Sequence, residues 1–463
     1  MEEKRRFLDW SLLPVVFSLA WPTILEELLG TAVQYFDTAM VGALGTSATA
    51  AVGSTSTVNW LVLSSLSAFG VGFLAYISQA CGRKDYQNAR KAVMQAFIMV
   101  LVVGSLFTAA LLSVSRKVPV WMHVDPAIQD LASRYFFILY SAMLPRTATS
   151  ILGTVLRAFG DSRTPMRIGI YTNILNVVLN FFLIPGSRTI TVFGKDLYLF
   201  GAGMGVLGAA AASAAAYLFS GIAIVVGVLR HPEISPAGIK VRVDWEILKP
   251  CLSVALPNML QRFGSSLGYV VFASLINSLG EVATAANTVA NTVESAFYVP
   301  GFGMMTAAAT LTGNAIGSRD PKRFRDMRRM ILFIEVSLMI LTGSLLFVYA
   351  LQMVSLFADD PEVIRLGGTV LRMVACSEPF FGASIVLEGM LQGAGETRFP
   401  FILNLLGMWC VRIGGTAVCT KLFGYGLAAA WACMIAHNLI LCAGYAAYTA
   451  RAGWSQAVFS RQE

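Results

Sequence analysis

The chain is 463 residues long, 56% hydrophobic and only 13% charged, where soluble domains carry about 25% charged residues. This excludes an ordinary soluble domain and marks a polytopic membrane protein. The net charge of +8 does not point to nucleic acid, because the basic residues sit in short segments between apolar runs and the longest polar gap is only residues 230 to 249.

The N-terminal MEEKRRFLDW precedes an apolar run too long for a signal-peptide core and without a small-residue cleavage site, so the first helix is expected to be retained. Twelve apolar spans follow in order: 12 to 41, 54 to 80, 92 to 115, 127 to 155, 165 to 186, 203 to 229, 247 to 278, 286 to 315, 328 to 357, 363 to 390, 399 to 420 and 425 to 450. Each is long enough to cross a hydrocarbon core of about 30 Å at ~1.5 Å per residue. Lysine and arginine alternate between the connecting segments. One set, including both chain ends, holds 23 of the 34 basic residues, and the other holds six: Arg116, Lys117, Arg188, Lys195, Arg365 and Lys421. By the positive-inside rule both termini are expected in the cytoplasm, which fits a prokaryotic inner membrane. The seven cysteines form no CxxC pair and read as small hydrophobes, with no disulfide framework.

The chain repeats itself. SLAWP at 18 to 22 returns as SVALP at 253 to 257, GRKD at 82 to 85 as GSRD at 317 to 320, and LRAFGDSRTP at 156 to 165 as LQGAGETRFP at 391 to 400. Every pair is offset by 235 residues. The expected fold is therefore an all-α membrane protein of twelve helices in two six-helix bundles, residues 1–235 and 236–463. An even number per half gives both the same orientation, related by a pseudo-two-fold axis along the membrane normal, as in some secondary transporters.

The first span carries Glu26, Glu27, Gln34 and Asp37. Ionisable groups inside a membrane are functional candidates by default, since lipid offers them nothing. At 100° per residue Glu26 and Asp37 fall within about 20° of one another. The repeat tests each position. Asp37 corresponds to Phe272, Glu26 to Gln261 and Glu27 to Arg262. The fold evidently accepts Phe272 where the first copy has Asp37, so packing does not require the acid and an ion-coupling role explains it better. Asn176 and Asn180 on the fifth span and Ser213 on the sixth lie at comparable depth and can offer amides and oxygens to it. Arg146 could pair with Glu26 or Glu27, which would make that part of the seam structural. Pro22 removes a backbone hydrogen bond in mid-span and permits a kink, so it is the candidate hinge. The arginines around 157 to 167 read as topology determinants and helix caps. In the second half Glu294, Glu335, Glu378 and Glu388 lie near Arg262, Arg372 and Arg412, a balance that suggests internal ion pairs, with Glu378 the deepest. His437 reads as a satisfied polar residue.

The first span's pattern of Pro22, Asp37, Thr38, Val41, Gly42, Leu44 and Gly45, with the paired loops LRAFGDSRTP and LQGAGETRFP, resembles the multidrug and toxic compound extrusion (MATE) transporters. The resemblance covers nearly the whole chain. It implies a V-shaped pair of lobes and efflux of organic cations or drugs in exchange for protons or sodium. In the branch with a site in the N-terminal lobe it puts an asparagine and an aspartate on span five and a threonine on span six. Here those positions read Asn176, Asn180 and Ser213, a loss of one carboxylate that fits a proton better than sodium at Asp37. The acids of the branch with a C-lobe sodium site would fall at Ser265 and Phe381, so that site is not expected.

The expected function is a proton- or sodium-driven antiporter exporting small amphipathic cations, with no cofactor, no resident metal and no nucleic-acid partner, working as a monomer in the bilayer. A lipid-linked precursor flippase of related fold is the alternative, with Arg146, Arg262 and Arg372 as candidate anion contacts. No metal or nucleophile spacing suggests an enzyme.

Overall fold

The computed structural model describes residues 8–192, 195–451 and 454, and helices make up most of them. Lys4, Arg5, Arg6 and Arg461, counted in the charge bias, lie outside this range. The first half contains α1 (Leu13–Gly42), α2 (Thr46–Gly82), α3 (Tyr86–Val114), the short α4 (Val118–Trp121), α5 (Gln129–Ser141), α6 (Met143–Ala158), α7 (Arg163–Leu183) and α8 (Val206–Arg230). The second half contains α9 (Trp245–Asn277), α10 (Glu281–Gly317), α11 (Pro321–Ser355), α12 (Pro361–Ala375), α13 (Glu378–Gly393), α14 (Arg398–Leu406), α15 (Gly415–Ala417) and α16 (Leu427–Ala450). π-wound stretches, Gly407–Gly414 and Val418–Leu422, join α14 to α15 and continue beyond it. Eight helices among the described residues are individually long and apolar enough to cross a membrane, and α12 with α13, bent by 55°, makes a ninth.

Two expected spans are broken rather than continuous, for one reason. A proline ring clashes with the carbonyl four residues back. Pro145 sets that position at Ser141, where α5 ends, and Pro379 sets it at Ala375, where α12 ends. The all-helical expectation holds, with one addition in a connecting loop. The segment from Pro185 to Gly203 folds into an antiparallel hairpin of β1 (Gly186–Val192) and β2 (Lys195–Ala202).

The repeat is legible in the backbone. Gly45 and Gly280, 235 residues apart, stand just before α2 and α10 at φ of +109° and +103°, a region that costs other residues a steric clash. Lys84 and Arg319, again equivalent, take φ of +60° and +54°. The next residues, Asp85 and Asp320, cap α3 and α11 by accepting the amides of Asn88 at 3.1 Å and Arg323 at 2.9 Å.

The helices pack into three main cores. One joins α2, α3, α5, α6 and α8 with the first turns of α9 through Ile247, Leu248, Cys251 and Ala255. Another joins α10, α11, α13 and α16 with the first turns of α1 through Val16, Leu19 and Ala20. The third gathers the far end of α9, at Phe272, Leu275 and Ile276, with α10, α11, α12 and α16. Each half thus sends the start of its first helix into the core of the other. The seam between halves runs along these crossings, from the end bearing the arginine-rich loops to mid-helix. Thr23 Oγ1 donates to the Gly303 carbonyl at 3.2 Å, Gln79 Nε2 to the Gly393 carbonyl at 2.9 Å, and the hydroxyls of Ser64 and Ser266 lie 3.4 Å apart. Beyond that level the C-terminal part of α1 packs on α7, and the C-terminal part of α9 lies in the second half's core.

A half-buried ion pair joins α1 to α6. Arg157 Nη2 lies 2.7 Å from both carboxylate oxygens of Glu26. This corrects the expected partner. Arg146 instead donates to Asn59 Oδ1 at 3.0 Å and lies 4.4 Å from the centroid of the Tyr217 ring. Arg157 is likewise no mere topology determinant. Breaking one side of a half-buried pair leaves the other charge poorly matched, so Arg157→Leu should lower unfolding stability in detergent by about 1–2 kcal/mol, between the exposed and the buried case, and adding Glu26→Gln should recover most of the loss. At the seam, a β-carbon built on Gly303 would stand 2.6 Å from the backbone nitrogen of Ile24. Gly303→Leu should therefore destabilise this arrangement by about 1–3 kcal/mol in the same thermal unfolding measurement.

Candidate functional site

The alanine-rich face of α8 lets α7 approach closely. Ala209, Ala210, Ala212 and Ala216 are buried, and a methyl on Gly208 would collide with the Leu183 carbonyl of α7. Small residues of this kind are what bring membrane helices near enough to share polar contacts. Asn176 and Asn180, one turn apart on α7, are therefore both buried, Asn180 completely.

Their amides form one chain with the first helix. Asn180 Nδ2 donates to Asp37 Oδ1 at 2.6 Å and to Asn176 Oδ1 at 3.1 Å, and Asn176 Nδ2 donates to Ser213 Oγ at 3.2 Å. The structure brings together the four residues singled out by depth. Asn180 Oδ1 is buried and has no hydrogen-bond partner among the described residues. Asp37 is half-buried, and among the described residues its Oδ2 accepts no hydrogen bond. The donors of the chain all point inward along it, while two oxygens, one charged and one neutral, are left to meet a cation or a proton. No cluster of three or more histidine, cysteine or acidic residues able to hold a metal occurs among the described residues.

The other polar residues of α1 stand apart. Gln34 is exposed and outside the chain. Glu26 is bound to Arg157, as described. Pro22 is buried inside α1, which continues through it.

In the second half the equivalent of Asp37 is Phe272, 3% exposed, and the guanidinium of Arg412 lies 4.4 Å from its ring centroid and 4.7 Å from that of Tyr269. One copy holds an acid against an amide, and the other holds a cation against two rings. The expected ion pairs of the second half do not form. The ion pairs that do form include Arg157 with Glu26 and Arg134 with Asp130, neither of them in this set. Arg372 turns to the Phe347 ring at 5.9 Å, and Arg262 donates to Asn258 Oδ1 at 2.9 Å. Glu335 and Glu378 are fully buried with no hydrogen-bond partner among the described residues, and Glu388 takes the amides of Gln261 at 2.8 Å and Gln392 at 3.2 Å. The helices direct these guanidinium heads at rings and an amide rather than at the acids. His437 also departs from expectation, since neither ring nitrogen has a partner among the described residues.

Sequence reasoning missed Arg157, Asn59 and Tyr217 as polar anchors. A signal existed for the first. Its equivalent is Gln392, so the position is polar inside a helix in both copies.

The comparisons agree with this arrangement. The MatE family model matches residues 22–182 and again 257–418, the two matches beginning 235 residues apart. A probable multidrug resistance protein NorM of Thermotoga maritima is 26% identical over 421 residues, 91% of this chain and 88% of that protein. The multidrug resistance protein MdtK of Edwardsiella ictaluri is 23% identical over 408 residues, 86% of this chain and 85% of that protein. The crystal structure of a MATE in the bent conformation has the same fold, with a TM-score of 0.85 at 22% identity over 96% of this chain and 95% of that one. Two matched copies spanning most of the chain, on a multi-pass helical membrane fold, make this chain a member of the MatE family of multidrug and toxic compound extrusion transporters.

Proposed function

We propose that the chain is a secondary antiporter of the inner membrane that exports amphipathic, cationic small molecules against an inward flow of protons, with Asp37 as the coupling residue. The names of its relatives support export of drugs. The observation that carries the coupling is the chain Asp37, Asn180, Asn176, Ser213, with its free acidic oxygen at the outer part of α1. In this reading the molecule is two six-helix bundles, residues 1–235 and 236–463, with α5 and α6 together, and α12 and α13 together, each acting as one broken span. Both termini and the arginine-rich loops face the cytoplasm, so the cleft between the halves opens outward.

Ionised Asp37 holds Asn180 and keeps α1 against α7. A proton arriving from outside adds to Oδ2 and leaves the bond at Oδ1 in place, but it removes the charge that draws this part of α1 toward the amides. α1 then bends at Pro22 and expels the substrate, and rocking of the halves resets the site. A single carboxylate with Asn180 in place of a second acid favours a proton over sodium as the coupling ion. The flippase alternative needs cations converging on an anionic headgroup. Arg146 lies on Asn59 and Tyr217, and Arg372 on Phe347, so the exporter is the reading retained.

In proteoliposomes Asp37→Asn should lower gradient-driven efflux of a fluorescent cation by about tenfold or more while its gel-filtration profile stays that of the parent. Wild-type rates would overturn the role of Asp37. Counter-flow should respond to an imposed pH gradient, and a response to a sodium gradient alone would replace the proton with sodium.

A further inference from the structure

The last two long apolar stretches, Arg398–Leu422 and Leu427–Ala450, meet through small side chains. Gly415 of α15 has no β-carbon, and one built there would stand 3.1 Å from the Cys433 sulfur of α16. That sulfur lies over Gly415, in space a larger residue would claim, and one turn from Cys419. Cys419 sits on the π-wound stretch Val418–Leu422, and its Sγ is 4.0 Å from that of Cys433. Both residues are half-buried, and neither is bonded to another cysteine. Two thiols 14 residues apart in the chain are thus in contact across two helices.

Their position makes them reachable. Lys421, two residues past Cys419, is exposed, as are Leu422, Phe423 and Tyr425, and the Tyr425 amide donates back to the Cys419 carbonyl at 3.0 Å. A lysine at the end of a span seeks headgroups and water, so the pair lies nearer the membrane surface than the midplane. π-wound turns are rare and gather at functional sites. A disulfide holds its sulfurs ~2.05 Å apart, so closing the contact asks for side-chain rotation and a local shift of one turn, with the spans left in place. Cys376 and Cys410 are exposed and touch no other thiol among the described residues, so they show how an isolated cysteine of this protein behaves.

We propose that Cys419 and Cys433 are a redox modification site, a dithiol that exchanges with small disulfide oxidants to form an intrachain bond stapling the last two spans together. One cysteine thiolate attacks a sulfur of the oxidant and expels the first thiolate, leaving a mixed disulfide. The second cysteine thiolate attacks the protein sulfur of that mixed bond and expels the other half of the oxidant. One S–S bond forms in the protein and one breaks in the oxidant, which takes up two electrons. The protons given up by the two cysteines end on the two expelled thiols, and a small dithiol drives the exchange back. The staple closes a short loop and so restrains the unfolded chain, which stabilises the oxidised form. The site is independent of what the protein transports.

The test treats the purified, fully reduced full-length protein with dithiodipyridine, a small aromatic disulfide, until Cys376 and Cys410 each carry a thiopyridyl group. Peptide mass spectrometry should then find Cys419 joined to Cys433, with two hydrogens lost and no reagent attached. In Cys419→Ser the Cys433 sulfur should keep its thiopyridyl group, because no second thiol is there to expel it. Separate thiopyridyl groups on Cys419 and Cys433, two thiols left unmodified, or a bond from either to another cysteine would overturn the site. The parent protein alone decides this, so a misfolded variant does not block it. The joined form should also unfold several degrees above the reduced form, a shift that Cys419→Ser under the same treatment lacks. An unchanged or lower melting temperature on joining would remove the stapling role.

Discussion

The close approach of α1 to α10 at Gly303 decides which end of the molecule is shut. Backbone against backbone, with Thr23 bonded to the Gly303 carbonyl, is a contact that no larger side chain permits, and the α2 to α9 packing at Gly72 and Cys251 repeats it on the other side of the seam. In lipid, where burying apolar surface gains little, such close contacts and the polar bonds they allow are what holds helices together. Everything above that level follows from it. The halves meet along the first turns of α1 and α9, the C-terminal turns of α1 are free to side with α7, and Glu27, one turn past this contact, is exposed.

Duplication supplies the frame and asymmetry supplies the chemistry. The equivalent turns at Gly45 and Gly280, and at Lys84 and Arg319, adopt the same backbone to within a few degrees. The equivalent site positions do not match at all. Where the first half places Asp37 against Asn180, the second places Phe272 beneath Arg412. A proton can act on one side only, so in the proposed cycle one half moves and the other is the surface it moves against.

Much of this was readable before any coordinates. The apolar runs located most of the long helices and the repeat divided them into halves, and contrast with Phe272 isolated Asp37, because a position that tolerates an apolar ring in one copy has no structural need of an acid in the other. The depth argument then reached Asn176, Asn180 and Ser213, since residues at equal depth on adjoining helices have few other partners. What failed needed side-chain direction. Depth alone cannot distinguish Arg146 from Arg157 as the partner of Glu26, and counting acids against arginines in the second half ignored that Arg412, Arg372 and Arg262 point at rings and an amide. The breaks ahead of Pro145 and Pro379 were legible in principle, since the clash four residues back is fixed by covalent geometry. The hairpin at Gly186–Val192 and Lys195–Ala202 was legible too, since TITV at 189 to 192 and DLYLF at 196 to 200 are short β-branched and aromatic runs around a Gly-Lys pair.

The exchange of first turns between the halves bears on how the chain is made. Val16, Leu19 and Ala20 leave the ribosome early, yet the core that receives them is built from α10, α11, α13 and α16, the last of these completed near residue 450. Contacts of such long sequence separation form late. The first turns of α1 therefore have no complete core to pack into until α16 has been made. The start of α9 finds its partners α2, α3, α5 and α6 already in place. Assembly is thus directional even though the architecture repeats, and the first half on its own lacks the surface that completes its leading helix.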